Sequence, residues 1–309
     1  MKNTLHSAKK IYIYILLACV TCGCMRTPKV LFDRMLPQPE QSAVIEIPLK
    51  FEERWPYEEW MPYVTIKTAA GKSDLLFDTG AKNNTIALTP ELIEKLNVRH
   101  VGGPHLTISI NGFSIYRLFV LPEVNIGKLS YKNLLCGKNK IYPHGVMGLA
   151  LFKEFNLLIN YKEEKILLYR NNKYPKDIAD WQKIPFFATK HYGIIVKGRF
   201  QGSDRELTFL VDTGACGIGN NGEVCNLIKG SAFDKLAGNP GEEIRSHNLI
   251  LGQKVIQSLN FMSFDWRFIP SIDGILGSDF FLKHTVFLDF KNLHMYIRRN
   301  SESESRVTH

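Results

Sequence analysis

A seven-residue stretch that occurs twice limits what this chain can fold into more than any other feature. Leu75-Leu76-Phe77-Asp78-Thr79-Gly80-Ala81 returns as Phe209-Leu210-Val211-Asp212-Thr213-Gly214-Ala215. In each copy three apolar residues run into Asp-Thr-Gly-Ala. Such a run reads as a buried strand, and a carboxylate at its end followed by Gly reads as the strand breaking into a tight turn. At average residue usage a single Asp-Thr-Gly arises by chance in roughly one chain of this length in twenty. Two copies in matched contexts are a repeat.

The flanking sequence extends that repeat. Ile47-Pro48-Leu49 is answered by Ile184-Pro185-Phe186, and Pro62-Tyr63-Val64-Thr65-Ile66-Lys67 by Tyr192-Gly193-Ile194-Ile195-Val196-Lys197. Gly145 to Phe152 is answered by Gly274 to Phe281, and Leu157-Leu158-Ile159-Asn160-Tyr161-Lys162 by Val286-Phe287-Leu288-Asp289-Phe290-Lys291, both 129 positions on. The chain therefore reads as a duplicated, mostly β lobe. Within the first copy, Thr89-Pro90-Glu91 carries a helix-start pattern. Asn111-Gly112 between Leu106–Ile110 and Phe113–Tyr116 is a strong hairpin signal. The second copy departs in its middle, where Cys216-Gly217-Ile218-Gly219-Asn220-Asn221-Gly222 stands in place of Lys82-Asn83-Asn84-Thr85-Ile86.

At 309 residues the chain can bury two cores of ordinary size, and 45% hydrophobic with 22% charged residues is a globular composition. The formal charge is +9, but removal of a leader carrying Lys2, Lys9 and Lys10 leaves about +6. No basic block is interleaved with aromatics, so a solvated basic surface is expected and no nucleic acid. Lys9-Lys10 precede Ile11 to Ala18, an apolar run too short to span a bilayer and suited to the core of a secretory signal. Cysteines follow at 19, 22 and 24. Leu16-Leu17-Ala18-Cys19 resembles the bacterial lipobox, and Gly23-Cys24 is a second candidate, so Cys19 and Cys24 are the candidate lipidation sites. Cys216 and Cys225 are near enough in sequence to close a small loop, with two buried thiols as the equal alternative. No Cys/His spacing suits zinc and no Gly-rich phosphate loop is present, so no metal or cofactor is expected.

Two lobes related by approximate twofold symmetry, each offering an Asp from a strand end, can bring two carboxylates to one interface. Like charges a few ångströms apart do not both ionise cheaply, so one proton is shared and the pair holds both a base and an acid. The base can take a proton from water while the acid protonates a peptide carbonyl oxygen, with no covalent intermediate. Thr79 and Thr213 can hydrogen-bond across the interface, and Gly80 and Gly214 permit the tight turns.

Both Asp-Thr-Gly-Ala elements, together with Val146-Met147-Gly148 and Ile275-Leu276-Gly277, resemble the aspartic proteases of the retropepsin and pepsin type over about residues 45 to 298. The likeness is greatest to bacterial retropepsin-like proteins, here with two lobes in one chain. The resemblance implies an all-β, bilobal aspartic-protease fold, two related β-barrel-like lobes with the active site between them. It implies a catalytic dyad of Asp78 and Asp212, supported by Thr79, Gly80, Thr213 and Gly214. It also implies apolar-Gly elements threaded behind each Asp and a flap, for which Asn111 and Gly112 are the candidates.

The expected layout is a lipoprotein-type signal at 1–24, a tether at 25–42, an N-terminal lobe at 43–170 and a linker at 171–183. A C-terminal lobe at 184–300 and a disordered tail at 301–309 follow. The expected activity is aspartic endopeptidase cleavage of a peptide or protein substrate by a monomer, held through a lipid anchor in the bacterial cell envelope, facing the periplasm or on the outer membrane. The alternative is a catalytically inactive peptide-binding lipoprotein on the same fold. Because positions 81 and 215 are both Ala, no side-chain hydroxyl stands there beside either Asp, and activity is expected at mildly acidic to neutral pH.

Overall fold

The computed structural model describes residues 44–51, 60–81, 86–96, 98–109, 112–138, 144–152, 154–170, 173–188, 193–218, 222–233, 245–264, 266 and 271–301, except the side chains at 102–109, 112–114 and 116. The expected signal, both lipidation candidates and the tether lie outside these residues, as does all of the tail beyond Ser301.

The first half supplies β1 (Val44–Pro48), β2 (Tyr63–Thr68), β3 (Gly71–Asp78), β4 (Ile86–Leu88) and β5 (Arg99–Ser109). It continues with β6 (Gly112–Ile126), β7 (Leu129–Lys138), β8 (Val146–Gly148), β9 (Asn156–Asn160) and β10 (Lys165–Tyr169). The second half supplies β11 (Gln182–Ala188), β12 (Ile194–Phe200), β13 (Leu207–Val211), β14 (Gly217–Ile218) and β15 (Val224–Ile228). Then come β16 (Arg245–Leu251), β17 (Lys254–Ser263), β18 (Gly274–Leu276), β19 (His284–Asp289) and β20 (His294–Arg299).

Each half builds a barrel-like sheet. In the first, the order β2-β3-β8-β4-β7-β6-β5 is closed by β2 pairing with β6. In the second, β12-β13-β18-β15-β17-β16 is closed by β12 pairing with β16. Between them, β1-β10-β9 and β19-β20-β11 join in one sheet. At its centre Leu158 pairs with Phe287, its own counterpart in the repeat, with Leu157 opposite Leu288 and Ile159 opposite Val286. The local twofold axis therefore passes between Leu158 and Phe287.

Period-two alternation sorts the residues of this shared sheet. Leu157, Ile159, Val286 and Leu288 enter a core that runs continuously through both lobes. Leu158, Tyr169 and Phe287 face the other way and cluster with Trp181, Tyr174 and Ile178. The stretch expected as a linker is thus docked along residues 173–181. Tyr174 Oη donates to Asp289 Oδ2 at 2.8 Å, and the Arg298 guanidinium lies 4.7 Å over the Trp181 ring. Gln182 and Lys183 already belong to β11. Apolar side chains at i and i+4 in an otherwise polar segment suffice for this docking.

The hairpin register differs from the expected one: Ser109 pairs with Gly112, so Gly112 is the first residue of β6 instead of the second residue of the turn. Asn111 lies outside the described residues. In the second lobe β16 and β17 form a hairpin that answers β6 and β7, since β17 pairs with β15 as β7 does with β4. Among the described residues β5 has no second-lobe counterpart. Thr89 does cap the helix Pro90–Leu96, its Oγ1 accepting from Leu92 N at 3.3 Å.

Candidate active site

Each Asp is delivered by a strand held on both sides. β3 lies between β2 and β8, and β13 between β12 and β18. β8 pairs in parallel with β3, placing Asp78 beside Gly148, and antiparallel with β4, placing Met147 opposite Ile86. β18 threads between β13 and β15 in the same way, with Val211 beside Leu276. The short apolar-Gly elements therefore fill the gap behind each loop. A strand buried on both faces must be apolar throughout, which Leu75-Leu76-Phe77 and Phe209-Leu210-Val211 satisfy.

The two loops meet across the local axis. Thr79 N donates to Thr213 Oγ1 and Thr213 N to Thr79 Oγ1, both at 3.0 Å. The hydroxyls pass their own protons across the interface, Thr79 Oγ1 to Val211 O at 2.8 Å and Thr213 Oγ1 to Phe77 O at 2.6 Å. Both threonines are 0% exposed, so these four bonds satisfy groups that water cannot reach. Gly214 packs against the other lobe's carboxyl, and a Cβ placed on it would lie 2.6 Å from Asp78 Cγ. Gly80 packs in the same way on Asp212. Any side chain at either position would drive the two loops apart.

The carboxyls of Asp78 and Asp212 lie close enough across the axis for the charge of Asp212 to act on Asp78. Burial, then the charge of Asp212 and the bond shared with it, push Asp78 well above the ordinary carboxylate range, against the N–H groups of Ala81 and Gly80. Burial also raises Asp212, opposed by the bond from Asp78 and by the N–H groups of Gly214 and Gly80. The pair as a whole therefore holds a proton more tightly than two separate carboxyls would. Ala81 N reaches Asp78 Oδ1 and Gly214 N reaches Asp212 Oδ1, each at 2.8 Å. Backbone amides occupy the donor positions beside the pair.

A pair of this kind can accept a proton at one oxygen while giving one up at another. Among the described residues no group of three His, Cys, Asp or Glu side chains converges as a metal site would require. Cys216 and Cys225 are both thiols, with Cys225 buried and pushed up to about 12 by that burial. Cys225 lies on β15 opposite Gly217, and Cys216 just precedes β14.

Residues that motif reading passed over complete the site. Tyr161, 2% exposed, sends its Oη to the Thr213 carbonyl at 3.4 Å. Asn226 Oδ1 accepts from Gly277 N at 2.9 Å while its Nδ2 donates to Asp279 Oδ2 at 3.0 Å. Asp279 also accepts from Asn260 N at 3.0 Å and pairs with Lys283 at 2.7 Å. This buried network braces the turn behind the second loop, where the first lobe has Ala150. The Tyr161/Phe290 and Asp279/Ala150 differences were visible in the repeat, but Asn226 carried no signal.

Among solved structures the chain is similar to the aspartic proteinase from Irpex lacteus, at 13% identity with a TM-score of 0.52, over 84% of this chain and 98% of that one. The fold is the bilobal aspartic-protease fold. No family model matches the chain, and no curated protein does. An aspartic-protease fold spanning nearly the whole length of the solved structure accounts for the duplicated lobes, the shared sheet and the two loops meeting on one axis.

Proposed function

We propose that the protein is an aspartic endopeptidase. The observation that carries the reading is that Asp78 and Asp212 are brought together on two loops held by reciprocal Thr79 and Thr213 bonds, with burial raising both carboxyls. Asp212 takes a proton from water as the water oxygen adds to the peptide carbonyl carbon, and Asp78 gives its proton to the carbonyl oxygen. Collapse of the tetrahedral diol returns a proton to Asp78 and delivers one to the leaving amine, so the pair ends as it began. The β5–β6 hairpin is the proposed flap, and both lobes being in one chain makes the monomer the proposed active form.

The leader supports export and lipidation at Cys19 or Cys24, with the folded part held at the bacterial envelope. Labelling of cells with a fatty-acid probe should mark the protein, and mark neither it nor its fragments once the lipidated Cys is replaced by Ala.

The test of the activity is a mixed peptide library incubated over a range of pH with wild type, Asp78→Asn and Asp212→Asn, with products read by mass spectrometry. Cleavage at mildly acidic to neutral pH, lost in both variants and blocked by a statine-type transition-state analogue, is the expected outcome. Products from either variant at wild-type rates would overturn the assignment. Peptide binding that survives both substitutions without cleavage would identify an inactive peptide-binding protein.

A further inference from the structure

The two carboxyls come from near-identical sequence, yet their surroundings differ on one side of the axis. Asp78 Oδ1 accepts from Ala81 N, three residues on, and Asp212 Oδ1 from Gly214 N, two residues on, while the Gly80 N–H acts on both carboxyls. Gly214 N belongs to the same peptide unit as the Thr213 carbonyl, which accepts from Tyr161 Oη. A peptide unit is planar and trans, so its C=O and N–H point in opposite directions and fixing one end aims the other. A donor on the carbonyl also polarises the amide and makes its N–H the stronger donor. Tyr161 is set for this by its ring, stacked on Phe281 of the second lobe at 5.3 Å and 21° and met edge-on by Phe51 at 4.9 Å.

Among the described residues nothing equivalent is built beneath the first loop. The counterpart of Tyr161 in the repeat is Phe290, which has no hydroxyl and packs edge-on against Phe186 at 6.0 Å. The Thr79 carbonyl instead lies against the backbone of Gly193, where an added Cβ would come within 2.6 Å of it.

We infer that Tyr161 is a positioning residue for the second loop: its hydroxyl fixes the Thr213–Gly214 peptide, which aims Gly214 N–H at Asp212 and makes the two halves of the pair unequal. This rests on the endopeptidase reading for its kinetic consequence but not for its structural one. The titratable groups in electrostatic reach of Tyr161 are Asp78 and Asp212 from the two loops and Cys216 from the second loop itself. Together with its burial they hold the phenol well above its ordinary value, so it stays a neutral donor. The Thr213–Gly214 amide so aimed favours the charged form of Asp212.

Tyr161→Phe keeps the ring and removes only the donor. With the full-length protein and a peptide from the library, kcat should fall roughly fivefold, the worth of one neutral hydrogen bond, with KM unchanged. The acid limb of kcat/KM should rise by about half a pH unit, because the ionised form of Asp212 loses support. An unmoved limb and unchanged kcat in Tyr161→Phe would overturn the inference. Should wild type cleave nothing, the carboxyl carbons of labelled Asp can be titrated directly by NMR. An upward shift of the pair's lower step in Tyr161→Phe supports the inference, no shift overturns it, and neither depends on cleavage.

Discussion

Replacing Thr213 by Val tests whether the two loops are held together by hydroxyl bonds or only by packing. The side chains are nearly isosteric, so shape is kept while two bonds go. Thr79 N–H loses its acceptor at 3.0 Å, and the Phe77 carbonyl loses its donor at 2.6 Å. Both groups lie where the threonines are 0% exposed, and a buried polar group left without a partner costs about 1–3 kcal/mol. The sum is roughly 2–6 kcal/mol, reduced by the apolar gain of one methyl at about 1 kcal/mol. Thr213→Ser retains both bonds and loses a methyl, so it should cost about 1 kcal/mol. Urea denaturation of wild type and both variants at neutral pH gives the comparison, with the slope m checked for constancy. Thr213→Val should be the less stable of the two by about 2 kcal/mol, the middle of that range less the cost of the serine. If Thr213→Val were as stable as Thr213→Ser, the hydroxyls would not be what joins the lobes at this point.

Two further predictions concern pH. Asp78 has its folded-state pKa raised, so the fold binds its proton more tightly than the unfolded chain does. The stability this contributes is present below the unfolded value near 3.8 and is lost as pH rises through the folded value. Asp78→Asn, always neutral, should therefore melt above wild type at neutral pH, with the gain shrinking toward pH 3 in a thermal-melt series; a gain independent of pH would count against a raised Asp78. His284 runs the other way. It is buried with Nδ1 3.0 Å from the Phe280 carbonyl, and burial lowers it from 6.5 to about 4. Stability present above 6.5 is then lost as pH falls toward 4, by roughly 3 kcal/mol in all. His284→Gln should flatten that acid loss in urea titrations between pH 7 and 4, and an unaltered slope would show that His284 is not its source.

Much of the site was legible because its residues are local in sequence. Asp-Thr-Gly-Ala after three apolar residues specifies a strand, a turn and a carboxylate within one short window, and its recurrence specifies the symmetry. The helix start at Thr89 was legible for the same reason, since a cap acts within one turn. The hairpin after Ser109 was placed one residue late, because pairing register is fixed along the whole of β5 and β6 and not by the Asn-Gly signal alone. The docking of residues 173–181 was missed because a polar majority hides three spaced apolar side chains until a sheet face is there to receive them.

The sequence by itself determined the duplication, the strands, the two carboxylates and the hydroxyls that could join them, since each is a property of a short window or of its repetition. Only the tertiary structure decided which partner each group meets. Thr213 with Phe77, Asn226 with Asp279, and Tyr161 with the Thr213 carbonyl all join residues more than fifty positions apart. The proton affinity of the carboxyl pair was out of reach of the sequence for the same reason, because it is set by the burial, charges and donors around each group, and the chain brings these together only on folding.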